Sequence, residues 1–127
     1  MARKSRLEIR VKRVYEPAAP TDGSRVLVDR IWPRGLSKEA AGLDGWIKDV
    51  APSDELRKWF GHDPAKWASF KRKYFHELDR REGALEELLE SGSGETLTLL
   101  FGAKDVAHNN AVALKEYLET RMEPKKG

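Results

Sequence analysis

Two short, strongly apolar runs constrain the fold of this chain most. Residues 26–28 and 97–101 consist mainly of valine and leucine, and runs of this length and composition are typical of strands that are buried on both faces, as in a parallel sheet. A chain of 127 residues is long enough for one such sheet with its covering helices and too short for a second core of useful size. The two runs therefore predict a single α/β domain.

The strands are predicted from hydrophobic patterns of two kinds. Apolar and charged residues alternate over residues 7–12, which is the pattern of a half-exposed strand. The two apolar runs predict strands over residues 25–31 and 96–103, the first of which must stop before Pro33, because proline cannot continue a central ladder. The loop between the first two strands, residues 16–24, has nine residues, fewer than the dozen or so that a parallel crossover usually takes. That length alone favours an antiparallel pair.

The long middle segment, residues 37–90, is predicted to be helical. Ser37, Ser53 and Asp63 are the expected N-caps of its helices, because short polar side chains accept hydrogen bonds from the free N–H groups of a first turn. A last helix is expected over about residues 109–121. The whole chain is expected to form one domain, residues 1–127, with flexible ends at residues 1–6 and 122–127.

The composition excludes several classes of protein. The chain has 39% hydrophobic and 35% charged residues, which is typical of a globular domain and too apolar for a disordered chain. No apolar run approaches the roughly 18 residues that cross a bilayer, and the basic start lacks the apolar stretch of a secretory signal. The absence of cysteine excludes disulfides and thiolate chemistry. We therefore expect a cytoplasmic protein with no membrane partner.

The positive charge is concentrated in two stretches. The formal net charge is +3, yet residues 1–13 carry six Lys or Arg against one acid and residues 57–81 carry eight against three. Basic clusters attract polyanions, so residues 3–13 and 57–81 make nucleic acid a candidate partner. A solvated helix face beside a basic amino terminus explains the same pattern without any partner.

The first candidate site follows the second predicted strand. Polar groups just past the carboxyl ends of parallel strands lie where open α/β sheets bind their ligands. In an extended segment, Arg30, Trp32 and Arg34 project to the same side, and two guanidiniums beside an indole suit a planar anion or a nucleotide. In the alternative interpretation, Trp32 closes the end of the sheet and the arginines pair with Asp29 and nearby glutamates.

The second candidate site follows the third predicted strand and opens the last helix. The amino end of a helix favours anions, and the ligand-binding candidates beside it are Lys104, Asn109 and Asn110. His108 is the best candidate for a general acid or base, because imidazole exchanges protons near neutral pH, and Asp105 or Asp29 would orient it. The alternative assigns Asp105 and Asn109 to helix capping and His108 to an ordinary surface hydrogen bond.

The remaining histidines indicate no further site. Residues 61–64 fit the end of one helix and the proline-containing start of the next, which leaves only His62 unexplained, and we interpret the segment as structural. His62, His76 and His108 do not have metal-ligand spacing, and no glycine-rich loop follows a strand and opens a helix. No metal and no cofactor are therefore expected.

The motif-bearing segments together resemble a known family. They are similar to the YeaO-like branch of the DUF488 family, a domain of unknown function, over residues 25–38, 46–53, 56–66 and 99–111. The resemblance covers roughly residues 7–118 and implies no established activity.

The resemblance implies a small α/β domain with two characteristic strand ends. One strand of the family ends in an Asp-Val-Arg-like segment, which Asp29 and Arg30 match. Another ends in a cysteine-bearing segment that finishes in Cys-His-Arg. In this chain Phe101 and Asn109 stand at the two positions where that segment has cysteine. Asn110 and Ala111 replace its His-Arg pair. A thiol or metal role is therefore not expected here. Relatives also place a helix between the first two strands, which implies a parallel pair.

These observations lead to one fold prediction and three functional hypotheses. The predicted fold is a three-layer-like α/β domain with a short, mainly parallel sheet of about three strands flanked by helices. The leading hypothesis is a domain that binds or acts on a phosphate- or nucleotide-like anion at the carboxyl ends of the strands. The alternatives are a nucleic-acid-binding protein and a non-catalytic interaction module. The leading hypothesis requires both polar clusters to meet in one pocket.

Overall fold

A parallel sheet forms the centre of the structure, a computed structural model that describes residues 7–92 and 95–122. In that part of the chain the strands are β1 (Glu8–Arg13), β2 (Ser24–Leu27), β3 (Gly45–Trp46) and β4 (Thr96–Phe101), in the spatial order β1-β4-β2-β3. All neighbouring strands are parallel. The predicted α/β class and mainly parallel sheet are confirmed, with one strand more than expected, because two residues are too few for β3 to show a pattern.

The first two strands are parallel, so the expectation from the length of their connection is wrong and the family resemblance is right. β1 and β2 are not neighbours, because β4 lies between them and pairs with both. The connection contains a single 3-10 turn, Pro20–Asp22, instead of a full helix. So short a connection can return the chain to the start of a parallel strand because the strands themselves are short, at most about 20 Å long.

Helices cover one face of the sheet over the main hydrophobic core. They are α2 (Asp54–Phe60), α3 (Trp67–Leu78), α4 (Glu82–Ser91) and α5 (Asn110–Met122). Their buried side chains, such as Tyr74, Leu88 and Leu114, pack against Val26 and Leu99 of the sheet. The helical prediction for the middle segment and the last helix is thus confirmed except at Gly45–Trp46, which form β3 instead of part of a helical stretch. The ends expected to be flexible lie outside the described residues, apart from Met122, which ends α5.

The other face of the sheet is covered by a thinner layer. It contains α1 (Lys38–Ala41), the 3-10 turn Pro20–Asp22 and the segments that connect them. A smaller apolar cluster lies beneath this layer, with Leu27 and Leu100 from the sheet and Trp32 and Trp46 above them. The two faces together give the three-layer-like arrangement that was predicted.

The expected N-caps are present. The Ser37 hydroxyl accepts a hydrogen bond from the Ala40 N–H group and the Ser53 hydroxyl accepts one from Leu56, both at 3.1 Å. Asp63 caps the 3-10 turn that precedes α3. Each cap satisfies a first-turn donor, which explains why the helices begin where the sequence predicts.

A buried ion cluster holds the thinner layer to the sheet. The Arg25 guanidinium donates to the Asp22 carboxylate at 2.6 Å and to the backbone oxygens of Ala41 and Gly42 at 2.9 and 3.0 Å. Lys12 Nζ lies 2.9 Å from the same carboxylate. Burial acts to raise the pKa of Asp22, but the hydrogen bonds from Lys12, the Ala19 amide and Arg25 outweigh it and lower the pKa to about 2.

Both central strands are shorter than predicted. The expected strands extend to residues 31 and 103, whereas β2 ends at Leu27 and β4 at Phe101. The Val28 N–H group still donates to Leu100, at 3.1 Å, and the backbone then bends at residues 30 and 31. Ile31, the last apolar residue of the predicted strand, is exposed. The polar residues that follow thus leave the plane of the sheet.

Candidate functional site

A cavity of about 300 Å³ lies at the carboxyl-terminal edge of the sheet. The segments that follow β1, β2 and β4 form its wall together with α2 and the residues around it. The polar side chains that line it are those of Tyr15, Asp29, Arg30, Arg34, Arg57, His62, His108, Asn109 and Asn110. Open α/β sheets bind ligands at this position. We call it the strand-end cavity.

The strand-end cavity brings the two predicted clusters together. Asp29, Arg30 and Arg34 come from the segment after β2. His108 and Asn109 come from the segment before α5, and Asn110 is the first residue of that helix. The two segments meet because β2 and β4 are neighbours in the sheet, so the residues after them share one edge. Three other predicted site residues, Trp32, Lys104 and Asp105, do not line the cavity.

Trp32 lies on the face of the sheet that the thinner layer covers, and it does not line the strand-end cavity. Its Nε1 atom donates to the Leu36 carbonyl at 2.7 Å, and its ring centroid lies 5.2 Å from that of Trp46. The prediction that Arg30, Trp32 and Arg34 project to one side is wrong, because the backbone bends at residues 30 and 31 and strand alternation does not continue. Trp32 packs on the sheet face beside Leu27 and Leu100, and in the described residues neither Arg30 nor Arg34 forms the pair with Asp29 or a glutamate that the alternative predicts.

Asp29 is the carboxylate of the strand-end cavity. Its Oδ2 atom accepts a hydrogen bond of 2.9 Å from the Gly102 amide, whereas its buried Oδ1 atom has no hydrogen-bond partner among the described residues. Burial raises the pKa of Asp29, while the Gly102 amide and the Asn110 side chain act in the opposite direction. Oδ1 thus makes no close hydrogen bond within the described residues, although the Asn110 side chain interacts with the same carboxylate.

Three arginines give the strand-end cavity an excess of positive charge. Arg30 Nε lies 3.4 Å from the Pro52 carbonyl and 4.0 Å from an oxygen of Asp54. Arg57 lies 3.5 Å from that same oxygen, and Asp54 is itself mostly exposed. Arg34 is exposed, and its guanidinium has no hydrogen bond or ion pair within residues 7–92 and 95–122. These long or absent pairings leave the guanidiniums available to an incoming anion.

His108 contacts Asp105, an arrangement that fits both the predicted orienting role and the alternative of an ordinary hydrogen bond. Its Nδ1 atom lies 3.0 Å from Asp105 Oδ2, and its ring is edge-on to Trp67 with the centroids 5.3 Å apart. The backbone N–H groups of Ala107 and His108 donate to Asp105 Oδ1 at 2.9 and 3.0 Å. The Ala107 hydrogen bond and then the His108 side chain lower the pKa of Asp105. With Nδ1 facing Asp105, Nε2 remains for other contacts.

The two asparagines connect the start of α5 to its surroundings. Asn109 Oδ1 accepts from the Val112 N–H group at 3.0 Å and caps the helix, and its Nδ2 atom donates to the Asp105 carbonyl at 2.9 Å. Asn110 Nδ2 donates to the Val28 carbonyl at 3.1 Å. Lys104 is exposed and outside the wall. The helix start is thus presented to the cavity with rigid support.

His62 is the residue of the strand-end cavity that the sequence interpretation missed. Its φ is +59°, the left-handed region, which follows a φ of +55° at Gly61. A side chain in this region is uncommon and costs stability. Its exposed imidazole has no hydrogen-bond partner in the part of the chain that the structure describes. The sequence did contain a signal for His62, because the turn and the helix cap account for Gly61, Asp63 and Pro64 and leave the histidine without a structural role.

The described residues contain neither a metal-ligand cluster nor a membrane-spanning helix. Over residues 7–92 and 95–122, no group of three or more His, Asp or Glu side chains is placed to hold a metal ion. The helices in the same ranges are all too short or too polar to cross a membrane.

Comparison with known proteins assigns the chain to a family. The model of the DUF488-N3i family, described as the inactive DUF488-N3 subclade, matches residues 8–127. The chain belongs to this family. It is 41% identical to the uncharacterized protein YeaO of Escherichia coli K12 over 114 residues, which are 90% of this chain and 99% of YeaO. It is 42% identical to the uncharacterized protein Rv3073c of Mycobacterium tuberculosis H37Rv over 121 residues, 95% and 100% of the two chains.

The family match confirms the resemblance to the YeaO-like branch. The uncharacterized protein Mb3100c of Mycobacterium bovis is also 42% identical over 121 residues. No solved structure matches this DUF488-N3i chain.

Proposed function

We propose that this DUF488-N3i protein binds an anionic small molecule, phosphate- or nucleotide-like, in the strand-end cavity. The observation that supports this most is the convergence of Arg30, Arg34 and Arg57 on one cavity in which Asp29 is the acidic side chain of the wall. Guanidiniums bind phosphate and carboxylate through paired N–H donors. The start of α5 adds the partial positive charge of a helix amino end.

The dimensions of the cavity fit one small ligand. A volume of about 300 Å³ is at the lower end of the range for small-molecule sites. His62 and His108 supply further N–H donors on the wall. In this proposal the doubly protonated His108 ring donates from Nε2 to the anion and from Nδ1 to Asp105.

Binding without catalysis is the form of the hypothesis that the family supports. Its description calls the subclade inactive, and the resemblance places Asn109 and Asn110 where relatives carry Cys-His of the Cys-His-Arg segment. Both asparagine side chains hold the helix start through hydrogen bonds to backbone groups. We therefore assign the strand-end cavity to ligand binding, with His108 as a contact.

A thermal-shift assay tests this proposal. The wild-type protein is heated with inorganic phosphate, sulfate and nucleoside monophosphates, and we expect a saturable rise in melting temperature with at least one of them. Arg30→Ala and Arg34→Ala should abolish the rise. Arg80→Ala removes the same charge from an exposed position outside the cavity and should preserve it. An unchanged melting temperature throughout the panel contradicts the proposal.

A second candidate function, nucleic-acid binding, is supported by one surface of α2 and α3. Trp59 is 38% exposed, and the Nζ atoms of Lys66 and Lys73 lie 4.9 and 5.1 Å from its ring centroid. An exposed aromatic ring among cations suits the bases and phosphates of a single strand. The other basic segment lies partly outside the described residues.

Filter binding at increasing salt tests the second candidate. Phosphate contacts make affinity fall steeply with salt, so we expect retention of single-stranded DNA or RNA at about 50 mM salt and its loss on Trp59→Ala. No retention at that salt excludes this function.

A further inference from the structure

We propose that the strand-end cavity binds an anion that carries an aromatic ring, and that Tyr15 is the platform on which this ring stacks. The inference rests on the proposed function of the cavity and specifies its ligand class as a ring-bearing phosphate, of which a nucleoside monophosphate is an example. Tyr15 lines the cavity, and the anion site described above gives it no role.

Exposed apolar side chains are concentrated on this wall. In the described residues four large apolar side chains are exposed, and two of them, Tyr15 at 41% and Ile31 at 57%, line the strand-end cavity. Apolar groups left in water beside a cavity are typical of ligand sites. Inorganic phosphate has no apolar part to cover them, whereas a ring does. The wall therefore favours a ligand with an apolar, planar part.

The Tyr15 ring is held in place before any ligand arrives. Its hydroxyl donates to the Arg34 backbone oxygen at 2.8 Å. The Arg13 guanidinium covers one face of the ring, with its carbon 4.8 Å from the centroid, and is itself fixed by hydrogen bonds to the backbone oxygens of Gly102 and Ala103 at 3.2 and 2.9 Å. Because the residue is still 41% exposed, the face opposite Arg13 is available for stacking. A ring that is already ordered loses little conformational entropy on binding.

The two phenylalanines of the wall are not available for stacking. Phe60 and Phe70 are 6% and 2% exposed, and their rings stack on each other with the centroids 4.4 Å apart. Both belong to the main hydrophobic core. Among the Phe and Tyr rings of the described wall, Tyr15 is therefore the one with an open face.

The platform and the anion site adjoin. The hydrogen bond from the Tyr15 hydroxyl ends on the backbone of Arg34, whose side chain is exposed. A ring on Tyr15 and a phosphate on Arg34 therefore fit within one small ligand, and a cavity of about 300 Å³ suits one such molecule. Stacking does not depend on the hydrogen-bonding pattern of a base, so we expect the platform to select a ring rather than a particular base.

The test compares ligands that share a phosphate and differ in the ring. Ribose 5-phosphate has the phosphate and the sugar of a nucleotide without its base, so it measures the anion site alone. By calorimetry we expect the wild-type protein to bind AMP or UMP at least about tenfold more tightly than ribose 5-phosphate, which is the effect of stacking one base. We call this ratio of affinities the ring advantage.

Two substitutions separate the ring of Tyr15 from its hydroxyl. Tyr15→Phe and Tyr15→Leu both lose the hydrogen bond to Arg34, but only the first keeps a ring. We expect Tyr15→Leu to lower the ring advantage at least about fivefold, whereas Tyr15→Phe should keep it within about threefold of the wild type. Trp59→Leu removes an exposed ring outside the cavity wall. It is the matched control and should keep the ring advantage.

Three results would overturn this inference. A smaller ring advantage in the wild type shows that no ring is held, and this comparison needs no variant. A ring advantage lost in Tyr15→Phe shows that the hydroxyl acts instead of the ring. A ring advantage kept in Tyr15→Leu, or lost in Trp59→Leu, shows that the base binds elsewhere. In all three ribose 5-phosphate still binds and the proposed anion site survives; if no phosphate ligand binds the wild type, the proposed function fails and this inference with it.

Discussion

The Asp29 carboxylate accepts a hydrogen bond of 2.9 Å from the backbone amide of Gly102. This bond joins the segment after β2 to the segment after β4, at the edge where the central strands end. The approach is close, since a Cβ atom on Gly102 would lie 3.4 Å from Asp29 Oδ2. The second carboxylate oxygen, Oδ1, is buried and makes no hydrogen bond in the described residues.

Asp29→Asn is expected to preserve or raise stability at neutral pH. Burial raises the pKa of Asp29, so the folded state disfavours the carboxylate, and its contribution to stability falls as pH rises from the unfolded pKa through the folded one. An amide avoids this cost and still accepts from Gly102. Urea unfolding at pH 7 measures the difference in the free energy of unfolding between the variant and the wild type. This difference should become smaller in acid, where the wild-type carboxyl is protonated. A variant less stable than the wild type at pH 7 contradicts this account.

Asp22→Asn is expected to be strongly destabilising, by about 3–5 kcal/mol at pH 7, because Arg25 would be left buried without its ion partner. The pKa of Asp22 is lowered to about 2. Its stabilising contribution is therefore complete above the unfolded value, about pH 4, and is lost as pH falls through about 2. Urea unfolding of variant and wild type should converge over that interval. Exposed Asp49→Asn serves as the control.

Trp32→Phe should reduce stability without changing anion binding. The substitution removes the hydrogen bond from Nε1 to the Leu36 carbonyl, which is worth about 1 kcal/mol, together with part of the contact with Trp46. The residue lies outside the strand-end cavity, so ligand affinity should stay within twofold of the wild type. A loss of affinity comparable with that of Arg34→Ala would show that the indole does reach the ligand.

His62→Gly should stabilise the protein while weakening the binding of anions. Glycine adopts a φ of +59° without the strain that a side chain brings, a gain of about 1 kcal/mol. The imidazole that faces the cavity is lost at the same time. Thermal unfolding and ligand titration measure the two effects, and His62→Ala separates strain from chemistry. Unchanged anion affinity in both variants would make the position purely structural.

Strands and helices were predicted well where burial of an apolar run or a helix cap within a few residues determines the structure. The apolar run at residues 97–101 and the caps at Ser37 and Ser53 specify strand and helix without reference to the rest of the chain. The β3 strand is too short to show a period. The parallel relation of β1 and β2 depends on β4 lying between them, a long-range fact that a loop length does not contain.

The candidate site was predictable in part for the same reason. Asp29 lies two residues after β2 and is placed by that strand, whereas His108 lies seven residues after β4, next to the start of α5. Trp32 was misplaced because the backbone bends at residues 30 and 31, and alternation in sequence says nothing of a bend. His62 was missed because Asp63 and Pro64 account for a turn without explaining its left-handed backbone.

Titration of the ¹⁵N-labelled protein with nucleoside monophosphates, followed by amide chemical shifts, tests the central claim most directly. The account predicts saturable shifts centred on the amides of Arg30, Gly102 and Asn110, reduced in Arg34→Ala and retained in Arg80→Ala. Shifts confined to the surface around Trp59, or none at several millimolar ligand, would contradict an anion site at the carboxyl ends of the strands.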